Sequence, residues 1–188
     1  MDMIYIFLAT GFEDIEALAP VDIIRRAGLK VQTVSITGER VVESAHGVGI
    51  VSDLLLHDVD FSEAEMLVLP GGLPGSTNLD TCQPLTQAIA RHFEAGGAIA
   101  AICAAPLVFG HLGLLQGRRA TCYPGIEPEL KGAICTSAIV ERDENIITGK
   151  GPGAAFEFGY TIVEFFRGKG VSQVLREGMI YQELVHNS

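Results

Sequence analysis

Ala98-Ile99-Ala100-Ala101-Ile102-Cys103-Ala104-Ala105-Pro106 carries the strongest structural signal in this chain. Its first five residues are all apolar, which is typical of a parallel strand covered on both faces of a sheet. Pro106 suits the first turn of a helix, because it has no N–H to leave unpaired and its φ is already helical. The segment therefore predicts a buried strand, a turn at Cys103 and a helix that starts near Pro106.

The same order of strand and helix recurs along the whole chain. Apolar runs predict strands at 3–9, 30–36, 65–69 and 98–102, and helices at 20–28, 83–94, 106–112, 153–166 and 171–184. Pro20 disfavours a helical residue before it, so residues 12–19 are expected to form an irregular turn. Hairpins are expected at 41–51, on one edge of the sheet, and at 139–148. The alternation favours one doubly wound α/β domain over residues 1–188.

Composition excludes several classes of partner. The 188 residues include 23 acidic and 13 basic side chains, a formal net charge of −10 at pH 7. Such a charge repels nucleic acids and anionic membranes. We find no apolar run long enough to span a bilayer and no signal-peptide pattern, which predicts a cytoplasmic protein without a membrane partner. The cysteines at 82, 103, 122 and 135 lack CxxC or zinc-ligand spacing, so free thiols and no metal are expected.

Three sequence features fall where predicted strands end. Open parallel sheets bind ligands outside the carboxyl ends of their strands. The turn containing Glu13 to Glu16, the loop Pro70-Gly71-Gly72 and Cys103 each follow such an end. We expect them to share one crevice.

Each feature has a chemical interpretation and a structural alternative. A thiol at a helix start can have a lowered pKa, although a buried cysteine often only packs as a small apolar residue. Glu16, between Ile15 and Ala17, is expected to have a raised pKa and to act as general acid and base, unless it is a solvated carboxylate. Gly72 presents a backbone N–H for an oxyanion, unless its loop is only a surface turn.

Other motifs are weaker. The segment Gly149–Ala154 matches G-x-G-x-x-A, but no second βα half with a ribose-binding acid follows, so no dinucleotide is expected. None of the histidines has metal-ligand spacing or adjoins Cys103. Among them, His46 is the candidate that lies beside a glycine in a loop. The phenol of Tyr123 is expected to border the crevice.

Several ordered motifs resemble those of the ThiJ/PfpI superfamily. They are Gly11-Phe12-Glu13-Asp14-Ile15-Glu16, Pro20 to Gly28, Leu69-Pro70-Gly71-Gly72, Ala101 to Pro106 and Gly151-Pro152-Gly153. The resemblance implies a flavodoxin-like, mostly parallel, three-layer sandwich of the class I glutamine amidotransferase type, commonly a homodimer. It also implies a reactive Cys103 and a protonated Glu16 that touches its sulfur. Gly72 and Ala104 would supply the N–H groups of an oxyanion pocket.

The resemblance implies a cofactor-free, cysteine-dependent enzyme acting on a small carbonyl substrate or a glycated protein. A glyoxalase or deglycase reaction, such as methylglyoxal to lactate, is the leading hypothesis. The alternatives are an oxidation-sensing, stress-protective protein or chaperone that uses the same cysteine, and an α/β domain in which that cysteine is inert. The chain departs from many relatives in having Tyr123 in place of a histidine, and from some in having His46 in place of an arginine. Ala104 stands where the protease-like branch has a histidine, which argues against proteolysis.

Overall fold

A central sheet of seven strands organises the protein. The computed structural model describes residues 3–182. The strands are β1 (Met3–Leu8), β2 (Lys30–Ser35), β3 (Val41–Glu43), β4 (Gly49–Val51), β5 (Leu54–Leu55), β6 (Ala64–Leu69), β7 (Ala98–Ile102), β8 (Arg119–Ala120), β9 (Ile134–Cys135), β10 (Val140–Asp143) and β11 (Ile146–Gly149). The helices are α1 (Asp14–Arg26), α2 (Gly75–Thr81), α3 (Gln83–Glu94), α4 (Pro106–His111) and α5 (Ala155–Gly178).

The strand order confirms the doubly wound, mostly parallel sheet. It runs β10-β11-β7-β6-β1-β2-β5, and all neighbours pair in parallel except β10 with β11. The chain builds outward from β1 through β2 to one edge, then crosses back to β6 on the other side of β1. Consequently β1, β6 and β7 are neighbours in the centre of the sheet, and their carboxyl ends lie side by side.

The central strands form the hydrophobic core. The side chains of Ile4–Leu8, Met66–Leu69 and Ala98–Ile102 are almost completely buried. Both faces of these strands are covered, as their continuous apolar sequences predict. Burial of apolar surface contributes about 25 cal/mol per Å² to the free energy of folding. These strands therefore stabilise the fold and fix the positions of their own carboxyl ends.

The first helix begins earlier than its sequence predicts. Residues 12–19 were expected to form an irregular turn, but α1 starts at Asp14 and contains Pro20 in its interior. Pro20 lacks the N–H that would bond to the carbonyl four residues earlier. The helix persists because α1 packs closely on α5 here, where a Cβ added to Gly159 would lie 3.2 Å from Cα of Pro20. Glu16 therefore lies in the first turn of a helix, and not in an irregular turn.

The smaller elements also differ from expectation. The hairpin of β3 and β4 forms, but as a separate two-stranded sheet and not on the edge of the main one. By contrast, the two helices expected at the carboxyl-terminal end are present: the backbone of Gly168 is not helical, with φ 80° and ψ 169°, and divides α5 into a segment before this residue and a segment after it. Leu184, the expected last helical residue, lies outside the described residues. No helix within 3–182 is both long and apolar enough to cross a membrane.

Two glycines of α5 provide a matched test of the α1–α5 contact. A Cβ at Gly159 would lie 2.9 Å from Cδ1 of Ile23, whereas one at Gly170 would meet no atom within 4 Å. Replacement of a helical glycine by alanine normally stabilises by about 0.5–1 kcal/mol. We expect at most that gain for Gly170→Ala, because Gly170 lies in the first turn after the non-helical Gly168, and a loss of about 1–3 kcal/mol from overpacking for Gly159→Ala. Urea unfolding of both variants checks this, and equal stabilities would contradict the packing described.

Candidate active site

Cys103 occupies a sharp turn between β7 and α4. Its φ is 65°, a left-handed conformation that is uncommon for a residue other than glycine. The backbone is held on both sides, because the Cys103 N–H donates to the carbonyl of Gly149 at 2.9 Å and its own carbonyl accepts from the N–H of Tyr123 at 2.8 Å. Such a conformation costs about 1–3 kcal/mol and persists only where its surroundings enforce it. The turn therefore fixes the direction of the Cys103 side chain.

Glu16 places a buried carboxyl against the Cys103 thiol. The side chain comes from the first turn of α1 and is fully buried. Its Oε2 accepts a hydrogen bond from the N–H of Gly71 at 2.9 Å. Its Oε1 is buried without a hydrogen-bond partner among residues 3–182. Burial raises the pKa of Glu16 to about 7, although the Cys103 thiol and the Gly71 N–H act in the opposite direction.

Gly71 makes the contact between carboxyl and thiol possible. A Cβ at this position would lie 2.5 Å from Cβ of Cys103 and 2.5 Å from Oε2 of Glu16. Both distances are far below van der Waals contact, so any other residue would push one of the two groups away. Gly72 is the glycine that the sequence predicts at the site, whereas the role of Gly71 emerges only from the structure. The adjacent pair of glycines at a strand end was the available signal.

Two backbone N–H groups approach the sulfur. The amides of Gly72 and Ala104 donate to Cys103 and lower its pKa, so the structure brings both predicted donors to the thiol. Burial and then the charge of Glu16 outweigh them, and together they raise the pKa of Cys103 to about 12. The expected lowering is therefore wrong. The helix α4 begins only at Pro106 and has six residues, so its dipole contributes little at the sulfur.

Glu16 and Cys103 titrate as a pair. Two ionisable groups in direct contact lose their protons in two steps that belong to both groups together. The first proton leaves at a pH of about 7 and the second at about 12. Between these values the pair holds one proton and one negative charge, with Gly71 donating to the carboxyl and Gly72 and Ala104 donating to the sulfur. The arrangement can supply a nucleophilic sulfur and a carboxyl that exchanges protons at neutral pH.

His46 lies among the acidic residues at the start of α1. Its Nδ1 is 2.7 Å from Oδ2 of Asp14 and 3.7 Å from Oε1 of Glu13, and the ring is mostly exposed. Hydrogen bonding to Asp14, with the charge of Glu13, raises the pKa of His46. Within residues 3–182, these three side chains are the group whose ligand atoms, all within 4.8 Å of one another, could hold a metal ion.

Tyr123 borders an open cavity of about 340 Å³. Its half-exposed ring lies beside Gly151, where a Cβ would be 3.1 Å from Cδ2 of the ring. Lys150 and Pro152 line the same cavity. A larger cavity of about 550 Å³ is lined by residues including Leu56, Phe61 and Arg91, and contains neither the Cys103 thiol nor the Glu16 carboxyl. The geometry around Cys103, not cavity size, marks the candidate site.

The sequence profile of the DJ-1/PfpI family matches residues 2–165, and thus includes Glu16, Gly71, Gly72, Cys103 and Ala104. The chain belongs to the DJ-1/PfpI family. Protein DJ-1 homolog B of Arabidopsis thaliana is 42% identical over 166 residues, which cover 86% of this chain and 37% of that protein. The match to DJ-1 homolog A covers 42% of that protein, so the chain spans about two fifths of the length of these two relatives.

Other DJ-1/PfpI relatives match over most of both chains. A glutathione-independent glyoxalase of Caenorhabditis elegans is 34% identical over 158 residues, or 83% of each chain. A cysteine-to-alanine mutant of a DJ-1 superfamily protein from Salmonella typhimurium has a TM-score of 0.91 and 34% identity, and covers 96% of this chain and 98% of its own. Toxoplasma gondii DJ-1, in an oxidised form, has a TM-score of 0.91 and 29% identity with the same coverage. The expected family and flavodoxin-like fold are confirmed.

The shared proton of Glu16 and Cys103 predicts a specific pH profile for alkylation. The rate of Cys103 alkylation by iodoacetamide should rise through pH 7 as the pair loses its first proton. Glu16→Gln has no carboxyl to share the proton and lacks the charge that raises the pKa of Cys103, so its alkylation should show no step at pH 7 and a single rise at a pH between about 7 and 12. Peptide-resolved mass spectrometry separates Cys103 from the other three cysteines. Glu39→Gln, which removes an exposed charge that contributes to neither pKa shift, is the control, and a wild-type profile in Glu16→Gln would contradict the pairing.

Proposed function

We propose that this protein is a cofactor-independent enzyme that uses Cys103 to convert small α-oxoaldehydes, such as methylglyoxal, into hydroxy acids. The observation that carries this proposal is the convergence of a thiol, a carboxyl with a pKa of about 7 and two N–H donors. A general acid or base is most effective when its pKa is near the working pH. The name of the Caenorhabditis elegans relative, a glutathione-independent glyoxalase, supports the same chemistry.

The first step is addition of the Cys103 sulfur to the aldehyde carbon. A C–S bond forms, the carbonyl π electrons move to oxygen, and Glu16 accepts the thiol proton and returns it to that oxygen. The N–H groups of Gly72 and Ala104, which donate to the Cys103 sulfur, would stabilise the developing oxyanion beside it. The product is a hemithioacetal attached to the enzyme.

The second step transfers hydrogen from the former aldehyde carbon to the neighbouring ketone carbon. Glu16 removes the proton from the former aldehyde carbon and delivers a proton to the neighbouring ketone carbon through an enediol. The former aldehyde carbon is oxidised to a thioester while the ketone is reduced to an alcohol, so no external oxidant or reductant is consumed. Water then hydrolyses the thioester, and the net reaction is methylglyoxal plus water to lactic acid with Cys103 regenerated. In the deglycase form of the proposal the aldehyde carbon is a hemiaminal of a protein amine: the Cys103 sulfur forms the C–S bond, the C–N bond breaks, the amine leaves with a proton supplied by Glu16, and the same hemithioacetal results.

Substitutions at the site test this mechanism through methylglyoxal consumption and lactate formation. Cys103→Ala removes the nucleophile and should abolish turnover, while Glu16→Gln should lower kcat by about 10²-fold or more. Gly71→Ala should also lower turnover at least tenfold, because a Cβ separates the carboxyl from the thiol. Cys135→Ala and Gly153→Ala are the controls, since Cys135 is exposed and a Cβ at Gly153 meets no atom. Equal consumption by wild type and Cys103→Ala would refute the proposal.

A second candidate function is oxidation sensing by the same cysteine. Two equivalents of hydrogen peroxide convert the thiol to a sulfinate and release two water molecules. This candidate is supported by the N–H groups of Gly72 and Ala104, which donate to the sulfur and would donate to sulfinate oxygens, as would a protonated Glu16. The existence of an oxidised form of Toxoplasma gondii DJ-1 favours this candidate. Graded peroxide should add two oxygens to Cys103 before the exposed Cys135 reacts; equal oxidation of all four cysteines would argue against it.

We also propose that the protein forms a homodimer through an apolar patch beside the site. Ile15 and Leu18 of α1 and Val48 and Val51 of the β3–β4 hairpin are exposed. The hairpin is joined to the start of α1 by the hydrogen bond from the N–H of Ala45 to the carbonyl of Phe12, so these side chains belong to one region. Exposed apolar groups of this kind favour association. The cytoplasmic location remains a prediction from the sequence.

Light scattering of charge variants tests the dimer. Val51 is 71% exposed and Val174 of α5 is 67% exposed. Val51→Asp places a charge in the proposed interface and should convert a dimer to a monomer, because an unpaired charge is costly to bury. Val174→Asp should leave the molar mass at the wild-type value. A monomeric wild type, or a dimer that both variants preserve, would contradict the proposed interface.

A further inference from the structure

A histidine outside the site connects three segments of the chain. His111, the last residue of α4, has its Nδ1 2.9 Å from Oδ2 of Asp80 in α2. Its Nε2 is 2.9 Å from Oε2 of Glu129, which ends a 3₁₀ turn at Glu127–Glu129. The ring is about one-third exposed. One imidazole therefore contacts two carboxylates on opposite sides.

Each of the three segments that His111 contacts is adjacent in the chain to a residue of the candidate active site. The helix α2 follows the loop that contains Gly72, and α4 follows Cys103 and Ala104. The 3₁₀ turn follows Tyr123, whose N–H holds the carbonyl of Cys103. The three segments that His111 joins are thus continuous with both N–H donors and with the backbone that fixes the nucleophile.

The backbone next to His111 packs closely against the 3₁₀ turn. The neighbouring Gly110 lies against the backbone of the 3₁₀ turn so tightly that a Cβ there would collide with the carbonyl oxygen of Glu129. The helix α4 has only six residues, so His111 at its last position is close in sequence to Cys103 and Ala104 before its first. The contacts of His111 and Gly110 therefore hold α4 against both α2 and the 3₁₀ turn.

The double contact requires a protonated ring. An imidazolium donates through both nitrogens, whereas a neutral imidazole donates through one and presents a lone pair to the other carboxylate. The hydrogen bonds to Glu129 and Asp80 raise the pKa of His111, against the opposing effects of burial and of Lys131. Because the folded-state pKa is raised above the ordinary 6.5, the contact is complete below that value and is lost as the pH rises through the raised pKa.

We propose that His111 is a positioning residue for the Cys103 pocket: as an imidazolium it bridges Asp80 and Glu129, and loss of its proton loosens the arrangement of Gly72, Cys103 and Ala104. The inference rests on Cys103 being the nucleophile of the proposed function. The N–H donors lower the pKa of the sulfur, so loosening them makes the thiol less reactive at a given pH. His111 would thereby restrict full activity to the pH range in which it is charged.

The ratio of variant to wild-type reactivity tests this proposal across pH. His111→Gln should lower the rate of Cys103 alkylation by iodoacetamide at least about threefold at pH 6. In alkaline solution, where His111 of the wild type is neutral, the rates of the variant and of the wild type should become equal. For methylglyoxal, kcat should fall at pH 6 with little change in KM, since the substrate meets an intact but misplaced site. His57→Gln, at an exposed histidine beside Asp58, is the matched control.

Glu129→Gln provides a second, nearly isosteric variant. It replaces a carboxylate that contacts His111 by a neutral amide, so NMR titration of the His111 ring should show a pKa below the wild-type value. The loss of Cys103 reactivity at alkaline pH should then begin at a lower pH than in wild type. A ratio for His111→Gln that does not vary with pH, or an increase in alkylation, would overturn the proposal. If wild type consumes no methylglyoxal, the proposed function fails, while the alkylation comparison still decides the role of His111.

Discussion

The burial of the Glu16 carboxyl against the Cys103 sulfur is the constraint on which the candidate site depends. Two acidic groups in a shared apolar environment cannot both lose their protons without a large cost, so they retain one proton between them at neutral pH. The contact exists because position 71 has no side chain. It also requires that α1 start at Asp14, so that its first turn directs Glu16 inward. The chemistry is therefore a consequence of packing at the ends of β1, β6 and β7.

Much of this arrangement could be predicted from local sequence. The continuous apolar runs identified β6 and β7, because strands buried on both faces show no alternation. The helix α3 and the strand β7 have the predicted bounds. The strand-to-helix turn indicated Cys103, and the rule that ligands bind at carboxyl ends grouped it with Glu16 and the glycine loop. The glycine loop indicated the N–H of Gly72, resemblance to a family added that of Ala104, and both donate to the sulfur.

The remaining features depend on contacts between distant segments. Pro20 is a local signal against a helix, and only its packing against Gly159 of α5 explains why α1 continues through it. The pKa of Cys103 is raised because burial and Glu16 outweigh the two N–H donors, a balance that a single motif does not reveal. The bridge from His111 to Asp80 and Glu129 joins residues that are 31 and 18 positions apart. Sequence patterns report the environment of an element, whereas these effects arise where elements meet.

The shared proton can be observed directly by NMR. A sample labelled with ¹³C at the Glu carboxyl carbons and the Cys Cβ carbons reports both members of the pair in one titration, with Glu16→Gln and Cys103→Ala used to assign the signals. The account predicts that the Glu16 carboxyl and Cys103 Cβ signals shift together in one step at a pH of about 7. A Glu16 signal that titrates near the ordinary 4.5, with no change at Cys103 over the same range, would contradict it.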